Sequence, residues 1–504
     1  MTGWPAQPVI YEINTVIWLA ELSRRHGRPL TLGDLPAAAW DEVVLPGMDA
    51  VWLMGVWQRS PAGLGIALRD ATLQASFRQA LPDLRPNDIV GSPYCVRNYV
   101  VDPALGGPDG LAAARVELAR RGRRLLLDYV PNHVAPDNPW LTDQPAYLVQ
   151  GGPDDLARSP DAFLEAAGHV YARGRDPYFP PWPDVVQLNA FSEQLRAATV
   201  DTLASIGDQA DGVRCDMAML LLTDVFARTW GDRVGAPPAE DFWTQVIPEV
   251  RQRHPGMLFV AEAYWDLEWT LQQQGFDHCY DKRLYDRLLH ENADSVRAHL
   301  RADIAYQRGL VRFLENHDEP RAAATMSPDR ERAAAVVTAT LPGATLWHEG
   351  QFEGRRVRPP VFLARRPQEP VDEDLRRFHR ELLAAVHSTG LRSGQWQLLD
   401  VNGWPDNPTD HNLVAWCWTG DGSRHVVVVN LSDAPAQGQV PLPWPDLRGR
   451  RWRLAELLAD TSYERDGDGL VQPGLYVALD GWRWHLLAVQ RLPSDVAADG
   501  GPDR

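Results

Sequence analysis

Short apolar runs that end in polar or charged residues recur along the chain. Three of these runs lie at residues 125–127, 257–260 and 313–314. Because they do not alternate with polar positions, they are typical of strands buried on both faces of a parallel sheet. Segments with helical spacing separate them, such as residues 193–206, which Ser192 can cap. Eight rounds of this unit predict a (β/α)₈ (TIM) barrel, an α/β fold with its site at the C-terminal ends of the strands.

The first strand and the C-terminal part of the chain have other patterns. Residues 9–19 are rich in Val, Ile and Trp and are predicted as one strand, and residues 68–81 as one helix. After residue 390, strand-like runs follow one another, and Asp421-Gly422 marks a hairpin turn between two of them. This pattern predicts a C-terminal antiparallel β-sandwich.

These patterns divide the chain into three predicted parts. Residues 1–390 form the barrel and residues 391–492 the sandwich domain. A stretch rich in Pro, Gly and Asp at residues 134–190 interrupts the barrel and is predicted to be a short inserted subdomain. Residues 493–504 lack apolar anchors and are predicted to be a disordered tail.

The composition is that of an ordinary soluble globular protein, with 44% hydrophobic and 23% charged residues among 504. The net charge of −17 argues against a nucleic-acid partner. The sequence shows neither a run of 18 apolar residues that would span a membrane nor a secretory leader, so a cytoplasmic protein is expected. The four cysteines lack the spacing of metal ligands, and three of them, which lie in or beside predicted strands, are expected to be reduced and buried. The 20 tryptophans offer aromatic faces that can stack on sugar rings, although most tryptophans serve packing.

Candidate chemistry is densest at residues 210–218, where a short buried strand ends in polar residues. Arg214 and Asp216 are two positions apart, so their side chains point the same way on a strand. The guanidinium then keeps the carboxylate ionised and oriented, as a nucleophilic Asp requires. A structural Arg–Asp pair at a strand end is the alternative that this segment alone leaves open.

Three more strand-end clusters occur in a fixed order around this segment. They are Asp128-Tyr129-Val130-Pro131-Asn132-His133, Phe259-Val260-Ala261-Glu262-Ala263 and Phe313-Leu314-Glu315-Asn316-His317-Asp318. With the segment around Arg214, they resemble the four motifs of the α-amylase-type glycoside hydrolase superfamily, in the same order and at similar spacing. The resemblance covers the barrel from about residue 9 to residue 350 and, more loosely, the β-rich remainder. It implies cleavage of α-glucosidic bonds with retention of configuration.

The resemblance also implies roles for three carboxyl groups. Asp216 would be the nucleophile and Glu262 the general acid/base, with their carboxyl groups roughly 5–5.5 Å apart. Asp318 would hydrogen-bond the sugar hydroxyls. Burial after an apolar strand would raise the pKa of Glu262 and keep it protonated until the proton is needed.

Five further residues are expected to bind or frame the substrate by the same resemblance. His133 and His317 would bind hydroxyls of the sugar, and Tyr94 would form a platform beneath it. Arg214 would orient the nucleophile, and Asp128 would shape the site through bonds to Arg214 or to nearby backbone. Packing at the barrel rim is the alternative for Tyr94 and for the two histidines.

Arg321 is the candidate for limiting where on a glucan the protein acts. It follows the fourth motif at an offset where exo-acting α-glucosidases of the superfamily often have an arginine. A guanidinium there can donate paired hydrogen bonds to a terminal glucose. A surface arginine paired with Glu319 or Glu315 is the alternative.

The sequence thus predicts a retaining hydrolase of maltooligosaccharides or related α-glucosides. A transglycosylase, which passes the same covalent intermediate to a sugar acceptor, is one alternative. A non-catalytic carbohydrate-binding or partner protein is another, and the complete carboxylate set opposes it. No cofactor or obligatory metal is expected. Calcium is the alternative, because many members of the superfamily bind it near the inserted subdomain. Asp137, Asn138 and Asp143 are available there, but their spacing does not single them out as ligands.

Overall fold

A computed structural model describes residues 3–492, and in it eight parallel strands form a closed barrel. The strands are β1 (Val9–Asn14), β2 (Ala50–Met54), β3 (Arg124–Tyr129), β4 (Gly212–Cys215), β5 (Leu258–Ala261), β6 (His278–Tyr280), β7 (Leu310–Arg312) and β8 (Ala344–His348). Each strand pairs with its neighbours in the chain, and β8 closes on β1. Nearly every strand residue is buried, which explains the uninterrupted apolar runs. The predicted (β/α)₈ barrel is confirmed.

Helices lie between these strands along the chain. They are Thr15–His26, Ala37–Val43, Pro61–Arg69, Ala71–Ala80, Gly107–Arg120, Glu193–Gln209, Thr223–Trp230, Phe242–Arg253, Glu268–Gln273, Lys282–His290, Ala293–His299, Ile304–Arg308, Ala322–Thr325 and Pro328–Thr340. As predicted, Ser192 caps the helix Glu193–Gln209, since its hydroxyl accepts a hydrogen bond from the backbone N–H of Leu195.

The predicted strand at residues 9–19 is wrong beyond residue 14. Strand β1 ends at Asn14, and the helix Thr15–His26 follows without a connecting loop. The Asn14 side chain accepts a hydrogen bond from the backbone N–H of Ile17. This cap satisfies a donor that the start of a helix would otherwise leave unpaired, and it outweighs the strand preference of the Val, Ile and Trp residues.

The region predicted as one helix at residues 68–81 forms two helices. Asp70 has an extended backbone, and its carboxylate accepts a hydrogen bond from the backbone N–H of Leu73. The helix Pro61–Arg69 therefore ends at Asp70, and the helix Ala71–Ala80 starts from a new N-cap.

The inserted subdomain between β3 and β4 is made of short elements around a small core of its own. Its elements are a sheet of Gln150–Gly151, Phe163–Ala166 and His169–Ala172, a pair of His133–Val134 with Val186–Gln187, and the helices Trp140–Asp143 and Pro153–Arg158. Its core consists of Val134, Leu141, Leu148, Leu164, Tyr171, Val186, Leu188 and Leu195. A further two-stranded sheet, Trp57–Arg59 with Val96–Val101, lies between β2 and β3.

Residue contacts group the chain into two compact units. The first unit comprises the chain through Arg283 together with Arg308–Thr325 and Gly343–Asp372, and it carries all eight barrel strands. The second unit comprises Leu284–Gln307, Met326–Pro342 and the chain from Glu373 onward. The domain ranges 1–390 and 391–492 stay a prediction, and the predicted tail 493–504 lies outside the described residues.

The second unit contains two antiparallel sheets and the helices Pro328–Thr340 and Glu373–Thr389. Its strands are β9 (Gln395–Leu399), β10 (Leu413–Gly420), β11 (Ser423–Asn430), β12 (Ala436–Val440), β13 (Arg451–Glu456), β14 (Ser462–Asp466), β15 (Leu475–Leu479) and β16 (Trp484–Arg491). The larger sheet has the order β9-β10-β11-β16-β13-β14, and β12 pairs with β15. Asp421-Gly422 turns the chain between β10 and β11 as predicted. The predicted C-terminal β-sandwich is confirmed.

Two predictions from composition also concern the described residues. All four cysteines are buried free thiols, as expected for three of them. Within residues 3–492, no helix combines the length and the apolar character that crossing a membrane requires.

Candidate active site

A pocket of about 300 Å³ lies where strands β3, β4 and β5 end. Its lining includes Tyr94, His133, Asp216, Glu262, Tyr264 and Asp318. Parallel strands present their carboxyl ends at one face of a barrel, so residues far apart in the chain meet there. Asp216, Glu262 and Asp318 are referred to below as the pocket carboxylates.

Arg214 holds two of the pocket carboxylates with one guanidinium. Its Nη1 donates a hydrogen bond to Asp216 Oδ1 at 2.8 Å, and its Nη2 lies 2.8 Å from Glu262 Oε2 as an ion pair. Nη1 also lies 3.6 Å from Asp128 Oδ1. Because neighbouring nitrogens of one planar group contact Asp216 and Glu262, these two carboxyl groups are fixed relative to each other.

Three aromatic rings surround the buried Arg214 guanidinium. The ring centroids of Trp52 and Tyr94 lie 5.3 Å from its central carbon, and that of Tyr280 lies 5.7 Å away. Aromatic faces attract a cation, and the low-dielectric surroundings strengthen its ion pairs. The rings therefore keep the guanidinium dry and its position fixed.

Glu262 is oriented by two residues that lie close to the motifs. The backbone N–H of Met217 donates to Glu262 Oε2 at 2.7 Å, and the Tyr264 hydroxyl donates to Oε1 at 2.9 Å. Met217 has a left-handed backbone with φ 43°, an uncommon conformation for a residue with a side chain. Burial raises the pKa of Glu262 to about 7 against the charge of Arg214, and Asp216 and Asp318 add to the rise. The carboxyl group thus keeps a proton near neutral pH, as a general acid must.

Asp216 and Asp318 differ from Glu262 in the charges that face them. Burial raises the pKa of Asp216, while the charge and hydrogen bond of Arg214 oppose that rise. Asp318 is the most open of the three, with 43% of its side chain exposed. Desolvation opposes its ionisation, but the charge and hydrogen bond of His317 hold its pKa at about 2. We assign the shared proton to Glu262, which leaves Asp216 and Asp318 ionised.

His317 lies between Asp318 and the barrel interior. Its Nε2 is 2.8 Å from Asp318 Oδ2 and 2.7 Å from the Tyr94 hydroxyl, and its ring stacks on that of Tyr94. Its Nδ1 is hydrogen-bonded to the carboxyl group of Glu12. Both ring nitrogens have protein partners, among them Asp318, and contact of His317 with a sugar hydroxyl stays a prediction.

Asp128 shapes the site, which is the role expected from the sequence. Its Oδ2 accepts hydrogen bonds from the backbone N–H of Gly55 at 3.1 Å and from Trp52 Nε1 at 3.2 Å. Its backbone oxygen accepts a third from Trp57 Nε1 at 2.7 Å. The carboxyl group is buried among these donors and Arg214. These protein partners account for the buried carboxyl group, and an effect of Asp128 on the substrate stays a prediction.

The inserted subdomain and the segment that leads into it form another wall of the pocket. His133 packs against Trp182 with ring centroids 5.2 Å apart, and Val185 adds apolar surface. Phe362, from the segment after β8, adds further apolar surface to the lining. Burial lowers the pKa of His133 to about 4, so its imidazole is neutral. A neutral imidazole can donate one hydrogen bond and accept another, which suits a hydroxyl group. Contact of His133 and Tyr94 with sugar stays a prediction that their place in the lining permits.

Arg321 belongs to a second cluster, which is closed to solvent and lies at the ends of β7 and β8. Its Nη1 donates to Glu315 Oε1 at 2.6 Å, to His348 Nδ1 at 2.8 Å and to the backbone oxygen of Glu349 at 2.8 Å. Glu315 Oε2 accepts from the backbone N–H of Ala322 at 2.7 Å. Glu315, Arg321 and His348 are referred to below as the sealed cluster. The predicted clamp of Arg321 on a terminal glucose is wrong, because its guanidinium is buried and bonded within the protein.

Two of the three residues named for calcium, Asp137 and Asn138, have protein partners. Asp137 accepts a hydrogen bond from the Ser60 hydroxyl at 2.5 Å and lies 3.7 Å from Arg97. Asn138 Oδ1 accepts from the backbone N–H of Trp140 at 2.9 Å. Across the described part of the chain, no group of three or more His, Cys, Asp or Glu side chains could hold a metal ion. The expectation of no obligatory metal stays a prediction.

Sequence reasoning missed four residues that hold the site together. Glu12 gave one signal, a lone carboxyl group inside an apolar strand, and Tyr264 gave another, an aromatic residue just beyond the third motif. Trp52 has the same pattern as any packed tryptophan. Met217 gave none, because its contribution is a backbone N–H that any residue type except proline supplies.

No protein-family model matches the chain. The sequence is 25% identical over 454 residues to alpha-amylase MalA of Haloarcula japonica, covering 87% of this chain and 57% of that protein. Over 202 residues it is 25% identical to an alpha-1,4-glucan:maltose-1-phosphate maltosyltransferase of Burkholderia pseudomallei, covering 38% of this chain and 15% of that protein. The chain therefore spans little more than half the length of the first relative and a small part of the second.

Solved structures share the fold over almost the whole chain. The maltogenic alpha-amylase AmyB of Thermotoga neapolitana superposes with a TM-score of 0.67 at 19% identity, covering 97% of this chain and 99% of that one. The alpha-amylase of Geobacillus thermoleovorans, solved with acarbose, gives a TM-score of 0.67 at 17% identity, with 97% and 100% covered.

The fold and the pocket together define a class. The closed (β/α)₈ barrel has carboxyl groups beyond β4, β5 and β7 and is followed by an antiparallel β domain. The solved alpha-amylase structures named above share this fold. In sequence the chain is similar to an alpha-amylase and, over a shorter stretch, to a maltosyltransferase, both proteins of the α-amylase type.

Proposed function

We propose that the protein is a retaining glycoside hydrolase that cleaves α-glucosidic bonds of maltooligosaccharides or related α-glucosides. One observation carries the proposal: the Arg214 guanidinium holds Asp216 and Glu262 side by side at the pocket. In this arrangement Asp216 is ionised and Glu262 is protonated. Retention requires one carboxylate that attacks and one carboxylic acid close to it that donates a proton. The relatives named as α-amylases support the choice of an α-glucan as the substrate.

The first step forms a covalent glycosyl-enzyme. Arg214 binds Asp216 Oδ1, which leaves Oδ2 to attack the anomeric carbon of the sugar. As that C–O bond forms, the glycosidic C–O bond breaks, and the Glu262 proton passes to the departing oxygen. Asp318, which is open to the pocket, accepts hydrogen bonds from sugar hydroxyls that strengthen as positive charge develops on the ring.

The second step releases the sugar and restores the charges. Glu262 is now a carboxylate and takes a proton from a water molecule, whose oxygen attacks the anomeric carbon. The ester bond to Asp216 breaks, so that Asp216 is again ionised and Glu262 again protonated. Two inversions at one carbon leave the product with the α configuration of the substrate.

A transglycosylase is the second candidate, because the intermediate accepts any hydroxyl that is held in place of water. Trp182, Val185 and Phe362 give the pocket an apolar wall on which an acceptor sugar could stack. One relative is named as a maltosyltransferase, although it covers only 38% of this chain. A non-catalytic binding role is not favoured, since all three pocket carboxylates are present and converge.

Product analysis with maltoheptaose tests the proposal and separates the two reactions. A hydrolase yields only chains shorter than seven units, whereas a transglycosylase also yields longer ones. The Asp216→Ala variant is the control, because it should bind the same oligosaccharide without converting it. Binding of maltoheptaose by the wild-type protein with no change in chain length would overturn both enzymatic assignments and leave a binding function.

A further inference from the structure

Glu12 is a fully buried carboxyl group that the proposed mechanism does not use. It lies in β1, where the strand register places it beside Trp52 on β2 and His348 on β8. Its Oε1 is hydrogen-bonded to Nδ1 of His317. A buried carboxylate without a compensating charge is costly, so the cation that it faces needs to be identified.

The hydrogen bonds of His317 identify that cation. A carboxyl oxygen faces each ring nitrogen: Glu12 at Nδ1, and Asp318 at Nε2 at 2.8 Å. A neutral imidazole has one N–H and one lone pair, so one of these contacts would set a lone pair against a carboxylate oxygen. Protons on both nitrogens satisfy both contacts, and the Tyr94 hydroxyl at 2.7 Å can then donate its own proton elsewhere.

We propose that Glu12 is a positioning residue that keeps His317 as an imidazolium, and that this cation holds Asp318 ionised and fixed in the pocket. The first half concerns the charge of His317 and stands on the contacts alone. The second half rests on the proposed function, because it concerns the residue that binds the sugar hydroxyls.

The charged groups around His317 favour this assignment on balance. Asp318 from its own segment, Glu12 from β1 and Asp128 from β3 are the acids that face it. Arg214 from β4 is the opposing cation, while Arg321 beyond β7 is paired with Glu315 and is therefore compensated. Tyr94 and Tyr280 complete the titratable surroundings and stay protonated, because burial raises the pKa of each well above its usual value.

His348 is a neighbouring imidazole whose charge also has to be assigned. The charges of His317 and Glu12 act on it, but its Nδ1 accepts a hydrogen bond from Arg321. Burial lowers its pKa to about 3, so it carries no charge. Burial alone would lower the pKa of His317 as well. The charges and hydrogen bonds of Asp318 and Glu12 instead raise it well above the usual value.

The consequence for the pocket is a second cation. The pocket carboxylates otherwise face Arg214 and, at Asp318, the weaker charge effect of Arg358, and like charges held together resist ionisation. His317 neutralises Asp318 from behind, so Asp318 can stay charged beside Asp216. If Glu12 loses its charge, the imidazolium loses one of its two ion pairs, and its proton is released at lower pH.

Histidine NMR on the intact protein tests the charge directly. With ¹⁵N-labelled histidine, the His317 signals are assigned by their loss in His317→Asn. We expect the wild-type ring to stay doubly protonated through pH 8. In Glu12→Gln, which keeps the shape and removes the charge, the midpoint should fall by about 1–3 pH units, the range for losing a close opposite charge. A neutral wild-type ring at pH 7, or an unchanged midpoint in the variant, would overturn the proposal.

Glu349→Gln is the matched control. It also neutralises a buried carboxyl group at a strand end, but that group pairs with Arg366 rather than with His317. The His317 midpoint should not move in this variant. A shift equal to that of Glu12→Gln would show a general effect of lost charge and would overturn the specific role of Glu12. Should Glu12→Gln not fold, the wild-type titration alone decides between the imidazolium and the neutral ring.

Activity measurements test the second half. The ratio of kcat/KM for Glu12→Gln to that of the wild type should be highest at pH 6 and fall at least about tenfold by one unit above the variant's His317 midpoint. A ratio that is constant with pH, while the NMR midpoint shifts, would overturn the link to Asp318. If neither protein turns over any α-glucoside but the midpoint still shifts, the proposed function fails and the Glu12–His317 assignment stands.

Discussion

The pocket carboxylates and the sealed cluster contain the same kinds of group at the same end of one barrel. Each site has carboxyl chemistry beside one fully buried arginine: three carboxyl groups near Arg214 in the pocket, and the single carboxyl group of Glu315 beside Arg321 in the sealed cluster. In the sealed cluster one guanidinium meets one carboxylate, and the remaining acceptors are a neutral imidazole and a backbone oxygen. In the pocket one guanidinium serves several carboxyl groups, and the most open of them, Asp318, is 43% exposed.

This difference distinguishes residues that can take part in a reaction from residues of the same type that support the fold. In the sealed cluster the charges of Glu315 and Arg321 cancel, although Nε and Nη2 of Arg321 are buried without a hydrogen-bond partner. Removing either partner would leave a buried charge uncompensated, so the pair matters to the fold. Burial raises the pKa of Glu262 and Asp216, and the charges of neighbouring carboxyl groups add to the rise. Burial also raises the pKa of Glu315, but no neighbouring carboxyl group contributes there and Arg321 opposes the rise. Mutations should therefore affect activity at the pocket carboxylates and stability at the sealed cluster.

The largest expected effect is on Asp216→Ala. Without the nucleophile, the covalent intermediate cannot form, and kcat should fall by at least about a thousandfold on every α-glucoside. The melting temperature should change little, because the substitution also removes a carboxyl group that burial disfavours. Kinetics with an aryl α-glucoside and thermal unfolding of the same sample measure both. A large drop in melting temperature with activity preserved per folded molecule would place Asp216 among structural residues.

Arg321→Met should have the opposite pattern. The change leaves the Glu315 carboxylate buried without its cation, and breaking a buried pair in this way costs about 3–5 kcal/mol. Urea unfolding should show this loss, while kcat/KM of the folded protein on maltose stays within about threefold of the wild type. A selective loss of activity on short oligosaccharides with unchanged unfolding would instead restore the sugar clamp inferred from the sequence.

Glu262→Gln should separate substrates by their leaving groups. Natural glucosides need the proton of Glu262, so their cleavage should fall by about 10²–10⁴-fold, whereas activated aryl glucosides should lose much less. In the wild type, cleavage of natural glucosides should decline as pH rises through about 7, because the acid is then ionised. Equal losses on both substrate types would contradict the acid role.

The free energy of unfolding of the same variant should also depend on pH differently from that of the wild type. A carboxyl group whose pKa is raised in the folded state contributes stability that is present below its ordinary pKa and lost as pH rises through about 7. Glutamine does not titrate. The free energy of unfolding of Glu262→Gln relative to the wild type should therefore increase from pH 5 to pH 8, by up to about 3 kcal/mol. A difference that is constant with pH would show that Glu262 has an ordinary pKa.

The smallest expected effect is that of metal removal. If the protein needs no calcium, dialysis against a chelator should change activity and melting temperature by less than the measurement error. Readdition of calcium should also have no effect. A loss that calcium restores would show an obligatory metal and direct attention to the segment around Asp137.

The sequence alone was sufficient to predict the barrel and the meeting of the pocket carboxylates. Both follow from local information, since an apolar run predicts a buried strand and its first polar residues lie at the C-terminal face. The predicted helix after Ser192 and the hairpin at Asp421-Gly422 were confirmed for the same reason. The cytoplasmic location and the lack of a nucleic-acid partner stay predictions.

The rest depends on contacts between distant parts of the chain. The sequence suggested a sugar clamp at Arg321 because it does not reveal that this residue is buried. Its partners Glu315, His348 and Glu349 meet only in the folded barrel, and no local pattern shows that they do. Glu12 and His317 are 305 positions apart, and only closure of the barrel joins them. The strand that was predicted to continue past Asn14 failed because one capping hydrogen bond outweighed the composition.

The anomeric configuration of the first product shows whether Asp216 is the nucleophile of a retaining reaction. If Asp216 is the nucleophile, two displacements occur at the anomeric carbon, and the α configuration is retained. Proton NMR of maltotriose digestion, followed before the anomers interconvert, should show the α anomer of the newly formed reducing end first. Initial appearance of the β anomer would mean a single displacement by water and would contradict the assignment of Asp216.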